Sequence, residues 1–353
     1  MLLPAVLTAF VLCYLITPLT RRWAQRWGAV DVGGERKVHH RPTPRLGGLA
    51  IYLGFTLALL AFGRFPHVWG LVAGGTVVFL VGVVDDFKGI SPRAKLAGQV
   101  AGAVLASLLG VRVEFLTNPW DGLIFLGGFS LPVTVLWLVA ITNALNLIDG
   151  LDGLAAGVAA IAGACLAAVA WLEGQGQVGV AAVALAATAA AFLRYNFHPA
   201  LLFMGDSGAM FLGFNLAALA VLGTAKSTTV LSLLVPVLAL GLPILDTFWA
   251  IVRRLVQGRP VFSADKEHLH HLLLRMGLNQ RQAVLLIYGM HTSLSLCAVL
   301  LAMLTTAQSL LMLAAIVIAA VVVANLLGFS QKKETQPAEH RNRHGFQPGR
   351  PSV

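Results

Sequence analysis

Asn143-Ala-Leu-Asn146-Leu-Ile-Asp149-Gly-Leu-Asp152-Gly153-Leu-Ala-Ala-Gly157 sits between two long apolar runs, 131–142 and 154–172. It puts two carboxylates and two amides where lipid would otherwise be expected. The polar residues recur every three positions. On an α-helix each such step drifts by about 60°, so the four would cover one broad face. Gly150 and Gly153 argue against an unbroken helix and suit a backbone that loosens to approach a ligand. A carboxylate at the centre of a membrane helix costs roughly 2.5–3.5 kcal/mol, so such residues are functional candidates by default. An ordinary interhelical loop carrying Asp and Gly is the competing reading, and the rest of the chain weighs against it.

Outward from this stretch the chain is overwhelmingly apolar. It is 58% hydrophobic and 11% charged over 353 residues, whereas soluble domains carry about 25% charged residues. Apolar segments long enough to span a bilayer recur throughout. Eleven are read, at roughly 2–20, 46–63, 66–84, 94–110, 131–148, 154–172, 177–194, 208–223, 229–250, 282–304 and 307–328; ten remain if one only lies at the interface. The expectation is an all-α, polytopic transmembrane helical bundle, because runs of this length do not suit barrel strands. One integral-membrane domain, 1–328, would be followed by a polar, basic, disordered tail, 329–353.

Lys and Arg set the expected orientation. With eleven spans, all but three of the 25 basic residues fall in loops on one side or in the tail, the exceptions being Arg64, Arg112 and Lys226. The positive-inside rule then places the N-terminus outside, with the C-terminus and the charged loops in the cytoplasm of a plasma-membrane protein. Helix 1 has no positive charge ahead of it and Arg21-Arg22 behind it, as an uncleaved anchor would. The net charge of +10 follows from this asymmetry and points to anionic headgroups and phosphorylated ligands, not to nucleic acid. Cys13, Cys165 and Cys297 lack metal-ligand spacing and read as core residues.

Four further inner loops carry polar clusters. The first contains Lys37-Val-His39-His40-Arg41-Pro42-Thr43-Pro44-Arg45-Leu-Gly47-Gly48, cations on a loop that two prolines stiffen. Lys37, His39 and Arg45 are its candidates for a phosphate or nucleotide, while Arg21, Arg22 and Arg26 read as lipid-facing charge. Helix 3 ends in Asp85-Asp86. Adjacent carboxylates repel unless a cation lies between them or one takes a proton, which suits metal ligation or general-base work. Their position at a helix C-terminus is one the dipole disfavours. Lys88, Arg93 and Lys95 follow, either holding an anionic substrate or marking the inner side. Gly205-Asp206-Ser207-Gly208 opens helix 8, where N–H groups face an anion and where Asp206 also suits an N-cap. The longest inner loop follows Asp246 and Arg253-Arg254 and carries His268-Leu269-His270-His271; the spacing is wrong for zinc and fits donors to a pyrophosphate or sugar. The outer stretch 111–130 reads as a short hairpin or interfacial piece without chemistry.

Taken in order, these pieces resemble the polyprenyl-phosphate N-acetylhexosamine-1-phosphate transferases of glycosyltransferase family 4. The matching residues are Lys37-x-His39 with Pro42-x-Pro44-Arg45-x-Gly47-Gly48, Asp85-Asp86, Asn146-x-x-Asp149-Gly150-x-Asp152-Gly153, Asn196-x-x-Pro199-Ala200 with Gly205-Asp206-Ser207-Gly208, and His268-Leu269-His270-His271. The resemblance implies transfer of a sugar 1-phosphate from a UDP-N-acetylhexosamine to a polyprenyl phosphate at the cytoplasmic face, releasing UMP. It implies Mg²⁺, with Mn²⁺ as the alternative ion, and a single chain or a homodimer. By the same resemblance Asp85, Asp86 and Asp206 are catalytic, with Asp206 the first metal ligand and Asp149 the second. Asp85 and Asp86 would position or deprotonate the lipid phosphate. Lys37, Asn146, Asp149 and Asp152 would hold the uridine end, and Arg254, His268, His270 and His271 would reach the pyrophosphate or the sugar. Leu269 interrupts the histidines, which are usually consecutive in the peptidoglycan branch, so the chain is more similar to the branch that starts teichoic acid or enterobacterial antigen. The phospho-muramoyl-pentapeptide transferases stay as the alternative of the same reaction class. A secondary transporter would place its acids near the midplane instead. A CDP-alcohol phosphotransferase needs an Asp-Gly-x-x-Ala-Arg opening, which fails at Ala156.

Overall fold

The computed structural model describes residues 2–31, 42–117, 123–224, 234–259 and 268–304, together with 308 and 311. In chain order the elements are α1 (Leu2–Trp27), β1 (Val30–Asp31), β2 (Thr43–Pro44), α2 (Gly47–Phe62), α3 (Val68–Lys88), α4 (Pro92–Leu108), β3 (Phe115–Thr117), β4 (Leu123–Phe125), α5 (Ser130–Ile148), α6 (Leu154–Leu172), α7 (Gly176–Asn196), α8 (Gly205–Thr224), α9 (Leu234–Ala239), α10 (Gly241–Val256), α11 (Leu269–Arg275) and α12 (Gln280–Met303). The compact unit runs from Met1 to Leu304. Seven of the described helices are long and apolar enough to cross a membrane, namely α1, α3, α5 with the turn before it, α6, α7, α8 and α12; α2 is apolar but shorter. The chain is an all-α, multi-pass membrane protein.

The bundle is built around α8, whose spanning window is 94% buried against 22% for α1. Its sequence, Gly-Asp-Ser-Gly-Ala-Met-Phe-Leu-Gly-Phe-Asn-Leu-Ala-Ala-Leu-Ala-Val-Leu-Gly-Thr, is apolar all round, as a helix with no lipid-facing side should be. Small residues let its neighbours approach closely. Gly213 lies against Thr142 of α5, and Gly74 of α3 against Phe214. Phe211 meets Tyr52, Phe55 and Phe79 from α2 and α3 in edge-on contacts, while Tyr52 and Phe79 stack at 4.2 Å.

Two expectations change in detail. The apolar run read as one span over 229–250 is divided at Leu240 into α9 and α10. Pro243 has no N–H to give the carbonyl four residues back, which ends the ladder there. The expected span at 94–110 is the 17-residue α4, with Arg93 and Lys95 in its first turn. The count of eleven therefore stays an expectation, and the span read at 307–328 lies outside the described residues except for 308 and 311. The outer stretch does form a hairpin, β3 pairing antiparallel with β4.

Candidate active site

The helix ends that the sequence assigns to one side meet at one end of the bundle. Gly48 at the start of α2 packs on Ser207 and Gly208, and Gly82 of α3 packs on the Ser207 backbone. A short ribbon holds the entering chain in place. Val30 and Asp31 pair with Pro44 and Thr43, Phe203 N–H donates to Pro44 O at 2.8 Å, and Gly47 N–H to Phe203 O at 3.0 Å. Three chain segments are thereby fixed beside the N-terminus of α8.

Asp86 is the keystone of that corner. It is only 3% exposed, and its Oδ1 accepts from the Asp206 N–H at 2.8 Å and its Oδ2 from the Ser207 N–H at 3.1 Å. The carboxylate caps α8 from a different helix, which resolves the oddity of an acid at the C-terminus of α3: it faces the positive end of α8. The capping role that Asp206 suited by position is thus filled by Asp86. Gly205 has φ +72°, and a Cβ there would run into the Asp86 carboxyl, so glycine is required twice over. The Asp86 carbonyl in turn accepts from Arg45 Nη2.

Freed from capping, Asp206 meets the ammonium of Lys95. The same Nζ lies 2.7 Å from Asp85 Oδ2, and Asp85 Oδ1 accepts from the Ile90 N–H at 2.8 Å. Lys95, in the first turn of α4, therefore bridges two of the three predicted catalytic acids. From sequence alone Lys95 suits either an anionic substrate or a charge marking the inner side. One turn on, Gln99 and Asn143 exchange side-chain amide bonds at 2.6 and 3.3 Å, locking α4 to α5.

The stretch Asn143–Gly157 breaks where its glycines suggest: α5 ends at Ile148 and α6 starts at Leu154. Gly153 adopts φ +81° before α6. Its N–H donates to Asn196 Oδ1 at 3.1 Å and its carbonyl accepts from Tyr288 Oη at 2.6 Å. Asp152 Oδ2 lies 2.8 Å from His198 Nδ1 and accepts from the Ala200 N–H at 3.0 Å, so this acid ties the loop to the chain that leads into α8. Asp149 points into the acidic corner. Burial, then the charges of Asp206, Asp86 and Asp152, push its carboxyl up to about 8.

Asp86, Asp149, Asp152 and Asp206 line one cavity of about 140 Å³, together with Asp31, Arg45 and Asn196. Whole-ligand pockets run to about 300–1,000 Å³, so this corner suits reacting phosphates and not an entire nucleotide sugar. Arg45 Nε is buried with no protein partner among the described residues, an open donor beside the acids. Among the described residues no three acids or histidines converge as a ready metal cage. Mg²⁺ does not need one, since it binds through one or two carboxylates and substrate oxygens, and the mutually repelling acids here fit that donor set.

Of the remaining predicted residues, His270 reaches the loop that borders this corner. His270, 3% exposed in α11, packs on Gly150 and has a buried Nε2 without a partner among the described residues. Burial, then the neighbouring His271, brings its imidazole down to about 4, so it is neutral at physiological pH. The His271 ring lies against that of His270, centroids 4.2 Å apart and planes tilted by 43°. Asn146 is in the last turn of α5, and Arg254 in the last turn of α10; neither lines the cavity. Lys37 and His39 lie outside the described residues. A larger cavity of about 710 Å³ opens at the opposite end, near Phe65, Arg112, Trp137 and Gln177; none of the predicted site residues lines it.

Residues 68–224, from the first residue of α3 to the last of α8, match Glycosyl transferase family 4. A probable undecaprenyl-phosphate N-acetylglucosaminyl 1-phosphate transferase of Bacillus subtilis (strain 168) is 37% identical over 93% of this chain and 93% of its own length. The chain belongs to glycosyl transferase family 4. Also similar are a decaprenyl-phosphate N-acetylglucosaminephosphotransferase of Mycolicibacterium smegmatis, 38% identical over 80% of this chain and 77% of its own, and an undecaprenyl-phosphate alpha-N-acetylglucosaminyl 1-phosphate transferase of Escherichia coli (strain K12), 28% identical over 80% and 79%. Within family 4, then, the part of this chain that matches the family includes Asp85, Asp86, Lys95, Asp149, Asp152 and Asp206, while Arg45 and the histidine helix lie outside it.

Proposed function

We propose that the protein transfers N-acetylglucosamine 1-phosphate from UDP-N-acetylglucosamine to a polyprenyl phosphate, releasing UMP. The observation that carries this reading is the corner where Asp85, Asp86, Asp149 and Asp206 meet Lys95 and Arg45 beside the N-terminus of α8. Its support from outside is a family 4 relative named for this transfer, similar along nearly the whole chain.

In the reaction an oxygen of the lipid phosphate attacks the β-phosphorus of the donor. The bond from that phosphorus to the bridging oxygen breaks, and UMP leaves with the electron pair. Both partners are anions, so the protein's work is positioning and charge neutralisation. Lys95 and Arg45 bring fixed positive charge to the corner. Asp85, held by Lys95 and by the Ile90 N–H, orients the lipid phosphate or takes its proton. Asp86 holds the α8 end on which Asp206 is displayed. The neutral His270, facing the loop of Asp149, approaches the sugar or pyrophosphate, with His268, His271 and Arg254 nearby in the chain. Mg²⁺ held by Asp206 and Asp149 would neutralise charge on the phosphate oxygens.

The site works at the cytoplasmic face in this reading, because the loops that form it carry most of the Lys and Arg. The donor is the simple N-acetylhexosamine and not the muramoyl-pentapeptide, since Leu269 interrupts the histidines and the loop after α10 carries cations and imidazoles instead of a peptide-binding surface. The product would start a cell-envelope polysaccharide or teichoic acid. The test is a competition in proteoliposomes with undecaprenyl phosphate and equal UDP-N-acetylglucosamine and UDP-muramoyl-pentapeptide. A thousandfold excess of the N-acetylglucosamine lipid, corresponding to about 4 kcal/mol, is expected. A dominant muramoyl product overturns the donor assignment.

A further inference from the structure

Asp246 lies in α10, ahead of the arginine pair, and the reaction described above gives it no task. Its carboxylate is nevertheless committed. Oδ2 lies 2.7 Å from His268 Nδ1, with both side chains almost fully buried, and Oδ1 accepts from the Leu269 N–H at 2.8 Å. His268 is the residue before α11 and makes no capping bond of its own. Asp246 therefore caps α11 from another helix, as Asp86 caps α8.

The contact runs on into the site. The His268 and His270 rings are parallel within 1° at 5.9 Å. His270 then rests on Gly150, and a Cβ at that glycine would overlap its ring. The unpartnered Nε2 of His270 is thus aimed at the loop between Asp149 and Asp152. A ring nitrogen bonded to a carboxylate carries the proton, which fixes both the tautomer and the plane of the ring. We infer that Asp246 is a positioning residue, one that holds His268 with its proton on Nδ1 and thereby sets where His270 stands over the Gly150 loop. The part of this inference that concerns turnover rests on the transferase reading; the part that concerns the ring does not.

Asp246→Asn separates the two bonds, since the amide oxygen can still cap Leu269 while the amide N–H₂ cannot accept from Nδ1. With UDP-N-acetylglucosamine and undecaprenyl phosphate, kcat is expected to fall about ten- to hundredfold while the thermal midpoint stays near that of the unmodified protein. His268→Ala should lose a similar factor, and the double variant no more than the worse single one. Factors that multiply in the double variant, or a kcat within twofold in Asp246→Asn, overturn the inference. ¹⁵N-histidine NMR of the detergent-solubilised protein tests the ring directly. The signal that His268→Ala removes should belong to an Nδ1-protonated ring and should switch to the Nε2-protonated form in Asp246→Asn. An Nε2-protonated His268 in the unmodified protein overturns the inference whatever the activity. Absent transfer with an Nδ1-protonated His268 instead sinks the reaction assignment and leaves the positioning intact.

Discussion

Asp86 Oδ1 accepts the backbone N–H of Asp206 at 2.8 Å, joining the end of α3 to the start of α8 across 120 residues of sequence. A carboxylate that looks like a free reactant in the sequence is thereby built into the support of the residue beside it. Because the second oxygen takes the Ser207 N–H, Asp86→Ala strips two buried donors of their partner. A loss of about 1–3 kcal/mol is expected, with a smaller loss for Asp86→Asn, which keeps one acceptor. Unfolding in detergent measures both; equal stability of Asp86→Ala and the unmodified protein would contradict the capping role.

Lys95 joins Asp85 to Asp206. A charge-assisted bond is worth about 1.5–3 kcal/mol, so Lys95→Met should lower kcat/KM by roughly ten- to hundredfold. Lys95→Arg should recover part of that loss. Steady-state kinetics of the two variants decide it, and an unchanged Lys95→Met would make the lysine a topological charge only.

With capping assigned to Asp86, Asp206→Asn is expected to insert and purify normally yet to lose Mg²⁺-dependent turnover. Titrating activity against Mg²⁺ is the measurement. Near-normal turnover at saturating Mg²⁺ would remove Asp206 from the metal site, and failure to fold would return it to a structural role.

Much of this was legible in the sequence, for stated reasons. The break between α5 and α6 is signalled by Gly150 and Gly153, and the gathering of loops by the one-sided Lys and Arg. The unfavourable place of Asp85-Asp86 at a helix end pointed to metal ligation or general-base work, and the α8 N–H groups that Asp86 accepts from were not foreseen. Lys95, Arg45 and Asp246 were not assignable to their partners, because those pairings depend on how α2 and α3 pack on α8 through Gly48 and Gly82, how α4 packs on α3, and how α10 meets α11. The division at Leu240 was masked by unbroken hydrophobicity, although Pro236 and Pro243 were there to see.

Asp149 gives a pH signature in the metal-free protein. Its folded value, about 8, lies above its ordinary value of 3.8. Its contribution to stability is therefore fully present below about 4 and is lost as pH rises through about 8. Asp149→Asn should match the unmodified protein near pH 4 and exceed it increasingly up to pH 9. Thermal unfolding in EDTA across that range checks the sign; a difference independent of pH would show that the acidic corner does not press on this carboxyl.

Gly82 lies where a side chain would overlap the Ser207 backbone. Gly82→Ala should push α3 from α8, destabilising by about 1–3 kcal/mol and lowering kcat more than that loss explains, since the Asp86 cap moves with it. A variant with normal kcat would show that the corner tolerates displacement.

The most direct test of the transfer follows the phosphorus. Purified protein in proteoliposomes receives undecaprenyl phosphate and UDP-N-acetylglucosamine labelled with ³²P at the β-phosphate, with Mg²⁺. The label is expected in the lipid, as a pyrophosphate-linked sugar, with unlabelled UMP released in equal amount. Label leaving as UDP, or staying in the donor, would contradict the assignment.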